Sequence, residues 1–431
     1  MRILSLTAGA AEMYCGSCLR DNALARELMA MGHDVVLTPV YTPTKVDGRN
    51  VSAEHVLFGG ISVYLQQHSA LFRHTPWIVD RLFDSQWALK MASRRSLAVN
   101  PKFLGEMTIS MLEGSGGPLA KEFAKLEYWL KHTQPPDIVN LPNTLLIAMA
   151  RSIRQSFSGP IVCTMQGEDL FLDGLAEPYR SRAIELIRAQ VKDVDAFVAV
   201  SEWYAGYMAD YFGISSAKVK VVRLGVDSTT GEPAERREPF TVGYLARIAP
   251  EKGLHLLCEA WRRFREKASG PARLRVAGYL APEHRPYLEG LKLQMATWGY
   301  SADFEYAGEL DHEAKARFLS EAHVFSVPVV YDDPKGLYAL EAIAAGIPVV
   351  LPARGSLKEH VERTGGGILA APDDPQGLAD AWFQLKENPA LAREMGRRGR
   401  EMITRHYSVR SMAQQTLEVY QALTASQPVL Q

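Results

Sequence analysis

The chain has 431 residues, more than one ordinary hydrophobic core accommodates, so two domains are expected. Hydrophobic residues make up 47% and charged residues 23%, which excludes a disordered chain, and a formal net charge of −1 leaves no overall field to attract nucleic acid. Met1 to Ala11 lacks the basic start and long apolar core of a signal peptide, and no apolar run is long enough to span a bilayer. The four cysteines, Cys15, Cys18, Cys163 and Cys258, suggest no disulfide framework, and the cytoplasm is the expected compartment.

In chain order, Arg2 to Thr7 reads as a buried parallel strand, Ala8 to Ser17 as a small-residue loop, Asp21 to Met31 as a helix, and His33 to Pro39 as the next strand. This opening βαβ unit places its first loop at the ligand edge of a sheet. From Tyr41 to Thr133 the pattern is less regular. It holds a candidate strand at Ile61 to Leu65 and an aromatic-rich stretch (Tyr64, Phe72, Trp77, Phe83, Trp87). Gly105 to Pro118 is expected to end in a flexible loop before a helix from Leu119 to Lys131. The whole segment reads as an insertion shaping an acceptor pocket, or equally as a helical cap filling out the core.

Alternation then resumes. Strands are predicted at Asp137 to Leu141, Ile161 to Met165, Ala196 to Ser201 and Val219 to Val222, with helices at Thr144 to Gln155, Pro178 to Lys192 and Glu202 to Phe212. Ser228 to Pro239 is polar and turn-rich, the best linker in the chain. A second series follows, with strands at Phe240 to Leu245, Leu274 to Ala277, Phe304 to Tyr306, Val324 to Pro328, Val349 to Leu351 and Gly367 to Leu369. A helix-forming run, Leu337 to Ala345, is stopped by Gly346 and Pro348. Leu391 to Leu423 is helical and basic at Arg393, Arg397, Arg398 and Arg400; a solvated face is the simpler reading, with contact to an anionic membrane as the alternative. The fold class is therefore α/β: two doubly wound parallel sheets joined by one linker, whose ligand edges can face a cleft.

Four groups of residues suit chemistry. Arg247 to Gly253 follows a strand, and its two cations, Arg247 and Lys252, suit a diphosphate. The turn after Val324 to Pro328 carries Asp333, and the helix after Gly336 carries Glu341; both carboxylates can face a polyhydroxylated ligand while the helix start faces phosphates. Two cations and the amides near Gly336 could neutralise a leaving diphosphate without a metal. Cys15-Gly16-Ser17-Cys18 reads as a tight turn letting a ligand approach the backbone, with a redox pair as the alternative; Arg20, one turn on, is placed to reach an anion. Met165 to Asp169 ends a strand: Asp169 could orient or deprotonate an acceptor hydroxyl, while Glu168 reads as a cap or local turn bond. Asp193-Val-Asp195 has the D-x-D spacing of a metal site but lies away from the ligand edge, and His33, His255, His312, His323 and His360 show no ligand spacing and read mostly as structural.

These motifs resemble those of retaining glycosyltransferases of family 4, with the GT-B architecture of two Rossmann-like domains. The resemblance covers nearly the whole chain. It rests on the helix ending Ala25 to Val35, Val198 to Ser201, Gly225 to Asp227, Arg247 to Gly253 and Asp333 to Pro348. It implies a first domain over 1–227, with the insertion at about 41–133, that binds acceptor, a donor domain over 240–405, and a 406–431 helix packing back on the first domain. It implies that Arg247 and Lys252 bind the nucleotide diphosphate and that Glu341 binds ribose hydroxyls. Asp333, at the first acid of the family's E-x(7)-E motif, would contact the donor sugar. The amides of Gly336, Leu337 and Tyr338 would meet phosphates or sugar, and Leu310, in Gly308 to Leu310, would lie beside the base. Gly16 matches the second glycine of the family's Gly-Gly loop, and Gln166 and Asp169 lie on the acceptor side with Arg20.

Three positions depart from the family pattern: Asp333 is one methylene shorter than glutamate, Cys15 replaces the first loop glycine, and Gln166 stands where many members carry histidine. The implied catalytic set is Asp333, Arg247, Lys252 and Asp169. The implied reaction is metal-independent transfer from a UDP-, GDP- or ADP-sugar, without a cofactor, by front-face attack in which the donor phosphate takes the acceptor proton. Closure of the two domains would exclude water. The acceptor is left open among small molecules, glycans and lipid-linked sugars. The alternatives are a sugar-nucleotide epimerase or hydrolase, a catalytically silent binder, and thiol redox chemistry at Cys15 and Cys18.

Overall fold

The computed structural model describes residues 1–9, 16–44, 46, 49–58, 101–227 and 238–426. The expectations at Cys15, at Ile61 to Leu65, on the aromatic stretch, and on all but the last two residues of the linker lie outside these. The chain divides into two compact units: Met1–Arg223 together with Met412–Gln431, and Leu224–Ser411.

The first unit carries strands β1 (Arg2–Thr7), β2 (Asp34–Pro39), β3 (Ile138–Leu141), β4 (Ile161–Met165), β5 (Ala196–Ala199) and β6 (Val219–Val221). They form one parallel sheet in the order β2-β1-β3-β4-β5-β6. Its helices are α1 (Gly16–Ala30), α2 (Pro101–Glu113), α3 (Ala120–Lys131), α4 (Ala148–Ile153), α5 (Glu168–Asp173), α6 (Tyr179–Gln190) and α7 (Glu202–Phe212). The inner strands are unbroken apolar runs because helices cover both faces of a parallel sheet; every residue of β3, β4 and β5 is buried. Helix α7 starts where the Ser201 side chain accepts the Tyr204 N–H, and it stops at Gly213 in the left-handed conformation.

The second unit carries β7 (Phe240–Leu245), β8 (Ala272–Ala277), β9 (Phe304–Tyr306), β10 (Val324–Phe325), β11 (Val349–Pro352) and β12 (Gly367–Ala370), parallel, in the order β12-β11-β10-β7-β8-β9. Helices α8 (Leu254–Lys267), α9 (Arg285–Thr297), α10 (His312–Ser320), α11 (Leu337–Ala344), α12 (Gly355–Thr364), α13 (Pro375–Glu387) and α14 (Pro389–His406) surround it. Helix α8 shows the packing rule. Leu254, Leu257, Cys258, Trp261 and Phe264 recur every three or four residues and are all buried, while its half-buried arginines pair outward, Arg262 and Arg263 with Glu259 and Glu266 and Arg265 with Asp303. The last helix, α15 (Val409–Ala425), starts in the second unit and returns the chain to the first.

Four local expectations need correction. Helix α1 begins at Gly16, not Asp21, so the small residues Gly16 and Ser17 are helical. The run from Gly105 to Pro118 is helix α2 followed by a 3-10 turn, Gly114–Gly116, in which Gly114 is buried, rather than a flexible loop. Thr144 to Gln155 is split into a 3-10 turn, Thr144–Leu146, and the short α4. The strand expected from Val324 to Pro328 pairs only at Val324–Phe325. On α14, Arg397 pairs with Glu394 and Glu401, and Arg398 donates to the Gly365 carbonyl. No described helix is long and apolar enough to cross a membrane.

Candidate active site

In an open parallel sheet a ligand crevice forms where the strand order reverses, outside the C-terminal ends of the two strands concerned. In the second sheet this point lies between β7 and β10, paired through Val242↔Val324 and Gly243↔Phe325. The loop after β7 carries Arg247 and Lys252, and the turn after β10 carries Asp333. The two are tied directly, since the Val330 N–H donates to the Glu251 carbonyl at 3.1 Å. Gly253 makes this approach possible: with φ +73°, a Cβ there would stand 1.7 Å from the Pro328 carbonyl oxygen.

Asp333, 4% exposed, is the hub. Its Oδ2 receives the Lys252 ammonium at 2.9 Å and the Tyr338 and Tyr331 hydroxyls at 3.0 and 3.2 Å. Its Oδ1 receives the N–H groups of Lys335 and Gly336, both at 3.0 Å. Burial by itself would raise the Asp333 pKa, but the Lys252 charge and the two backbone donors outweigh it and hold the carboxyl well below the usual range. Burial, and then the Asp333 charge, push the Tyr331 and Tyr338 hydroxyls upward, so both stay protonated as donors. The Lys252 Nζ also donates to the Tyr331 hydroxyl and lies 4.9 and 5.2 Å from the Tyr331 and Tyr338 ring centroids.

Gly336, at φ +56°, turns the chain into α11. A Cβ on it would meet Leu357 at 2.5 Å. Gly336→Ala should therefore destabilise the fold by about 2 kcal/mol, the left-handed penalty plus repacking, readable in a urea titration. Beyond it, the Ala339 N–H already turns back to the Gly336 carbonyl, whereas the Leu337 and Tyr338 N–H groups have no acceptor among the described residues. Two amides and a helix start thus stand beside an ammonium, an arrangement that suits phosphate oxygens.

The remaining donor-side residues lie around this hub. Arg247, its side chain 62% exposed, pairs with Glu251 at 3.1 Å, and its carbonyl accepts the Tyr244 hydroxyl. Glu341, one turn along α11, is held 2.9 Å from Lys315 on α10. Leu310 precedes Asp311, the residue whose side chain caps α10. Sequence spacing did not single out Lys315 or the Tyr331 hydroxyl as partners of these acids.

In the first unit the strand order reverses between β1 and β3. Arg20 and Asp21 are both buried there, the guanidinium 3.2 Å from the carboxylate. The Gln166 side-chain N–H groups donate to the Pro142 carbonyl at 2.9 Å and to Asp21 Oδ1 at 3.4 Å. Glu168 is a local brace, accepting from Thr144 N and Oγ1 and from Gln166 N. Met165 ends β4 as expected, and the polar run that follows leads into α5, opened by Gly167 at φ +105°. Asp169 is buried and accepts the Tyr204 hydroxyl at 2.5 Å, while that oxygen accepts the Gly167 N–H at 2.8 Å. Burial pushes the Asp169 pKa up to about 6; the Tyr204 bond opposes this and the Glu168 charge adds to it. Gly16 opens α1, and Asp195 of the D-x-D run is engaged by Arg154 and by the Ile161 N–H.

Residues 228–402 match the family model described as Glycosyl transferases group 1, and residues 110–230 match that of Glycosyltransferase Family 4. Glycogen synthase of Mycobacterium tuberculosis is 29% identical over 298 residues, covering 67% of this chain and 69% of that protein. The chain belongs to the family 4-type glycosyltransferases. Among solved structures, sucrose-phosphate synthase from Thermosynechococcus elongatus superposes with a TM-score of 0.72 at 20% identity, covering 99% of this chain and 100% of that one. Anabaena HepE in complex with UDP gives 0.68 at 18% identity, covering 98% and 100%. This glycosyltransferase therefore has the GT-B fold, and both of its parallel sheets reverse strand order in the manner that builds a ligand edge.

Proposed function

We propose that this glycosyltransferase moves a sugar from a nucleotide-sugar donor to an acceptor hydroxyl, with retention of configuration and without a metal. The observation that carries the reading is the pair of half-buried Lys252 and buried Asp333 set beside the open Leu337 and Tyr338 amides at the reversal point of the second sheet. A pyrophosphate held there meets fixed positive charge from Lys252, the amides and Arg247, and needs no reorganisation as the leaving group gathers charge. Glu341 would take the ribose hydroxyls. The bond from the anomeric carbon to the phosphate oxygen breaks, the acceptor oxygen bonds to that carbon on the same face, and the acceptor proton passes to the departing phosphate. Asp169, Gln166 and Arg20 are the acceptor-side residues in this reading, with Asp169 orienting the hydroxyl. The solved UDP complex of HepE supports trying UDP-sugars first.

The test is a donor screen over UDP-, GDP- and ADP-sugars in the presence of EDTA. Turnover is expected with one base class, and the product's anomeric configuration, read by NMR, should match the donor's. Glu341→Ala and Lys252→Ala should each lose most of that turnover. Full turnover in both variants would contradict the donor assignment, and complete inhibition by EDTA would contradict metal independence.

A further inference from the structure

The turn that presents the open amides is held from behind by α12. The Ser356 N–H and hydroxyl donate to the Asp333 carbonyl at 2.9 and 2.8 Å, and the Gly355 N–H donates to Asp332 Oδ1 at 3.0 Å. One helical turn further on, His360 is fully buried and its Nε2 lies 2.9 Å from the Lys335 carbonyl oxygen. A carbonyl oxygen only accepts, so Nε2 carries the hydrogen. The same peptide group ends in the Gly336 N–H, which Asp333 Oδ1 accepts at 3.0 Å. The Lys335–Gly336 peptide is thus gripped at both ends, by an imidazole on its oxygen and a carboxylate on its N–H. The ring also packs on Gly336 itself, its Cδ2 3.3 Å from where a Cβ would stand, and is backed edge-on by Tyr407.

The orientation of that peptide plane sets where the next two N–H groups, those of Leu337 and Tyr338, point. A rotation of the plane would swing them off a bound phosphate without unfolding anything. A buried histidine usually serves packing alone; here Nε2 meets the one peptide that leads into the anion-binding turn. We infer that His360 is a positioning residue for donor phosphate, acting through the Lys335–Gly336 peptide and not by touching the donor. The inference rests on the donor reading above.

The experiment measures UDP binding by calorimetry, together with donor and acceptor KM, in the full chain and in three variants. His360→Gln keeps an N–H at similar reach, His360→Asn places it too short, and His360→Phe removes it while keeping bulk. His360→Asn and His360→Phe should weaken UDP binding and raise donor KM about tenfold, the scale of one lost buried hydrogen bond, with acceptor KM unchanged. His360→Gln should stay within about threefold of wild type on the same scale. A merely structural histidine would lower melting temperature in all three variants and leave the UDP affinity of the folded protein unmoved; that result overturns the inference. So does a His360→Gln protein as impaired as His360→Asn, a comparison that holds even if His360→Phe fails to fold. If the wild-type chain binds none of UDP, GDP and ADP, the donor reading falls and this inference with it, whereas wild-type binding with unaltered variants sinks the inference alone.

Discussion

Lys252→Met should cut turnover about 10²–10³-fold, the range found when one preorganised charge-stabilising donor is removed. It should also destabilise the fold, because Asp333 stays behind as a buried carboxylate without its countercharge. Breaking a buried pair from one side costs ~3–5 kcal/mol, and the low end applies here, since two hydroxyls and two amides still donate to Asp333. The double variant Lys252→Met/Asp333→Asn removes the stranded charge. Its stability should recover by more than half while its turnover stays low, so the coupling in urea titrations is large and the coupling in rate is not. The pH sign follows from the depressed Asp333 pKa. Its stabilisation is complete above the ordinary carboxylate range and is lost as pH falls through the lower, folded value. The stability gap between wild type and Lys252→Met is therefore full well above the variant's own Asp333 pKa and starts to narrow as pH falls through it, at a higher pH than the wild-type group titrates, because burial now acts without the Lys252 charge. A Lys252→Met enzyme with wild-type turnover, or a double variant that regains activity, would remove Lys252 from the chemistry.

The strands were readable because each is a short, unbroken apolar run between turn signals, the pattern a doubly covered parallel strand must have: Ile161–Met165, Phe240–Leu245 and Phe304–Tyr306 fall where the sequence puts them. The strand order is another matter. That β10 lies beside β7 is a pairing of segments about eighty residues apart, and no local pattern encodes it. Helix starts were misread where small residues stand in for caps. Gly16 and Ser17 look like loop but begin α1, and Gly167 begins α5 through its left-handed conformation instead of a capping side chain. Motif spacing brought Asp333, Gly336 and Glu341 into view as one turn and helix. It placed Lys252 at the same edge but not as the ion-pair partner of Asp333, and it did not reveal Lys315 or His360, because all three reach this turn and helix from other elements, 81, 26 and 25 residues away along the chain from Asp333, Glu341 and Lys335. Polar contacts of that kind follow from the sheet topology, so they become legible only once the topology is known.

Asp169→Asn should lower kcat/KM about 10²-fold, the scale of a misplaced reacting group, and should stabilise the protein at neutral pH. The two effects have one cause. Burial raises the folded pKa of Asp169 to about 6, so between the unfolded value near 3.8 and that figure the native state holds the extra proton. Stability contributed by this group therefore falls as pH rises from about 4 to about 6, by roughly 2–3 kcal/mol in all, and the cost is carried in full at pH 7 and above. Asparagine carries no such charge and still offers an oxygen to the Tyr204 hydroxyl. Its melting temperature should exceed wild type at pH 8 and approach it at pH 4.5. If the ionised carboxylate orients the acceptor, wild-type activity should climb through about pH 6. Tyr204→Phe should move that limb to higher pH, because the lost hydroxyl is the group that favours the ionised form. A limb that stays put in Tyr204→Phe, or an Asp169→Asn enzyme that is more stable and equally fast, would leave Asp169 as a partner of Tyr204 and nothing more.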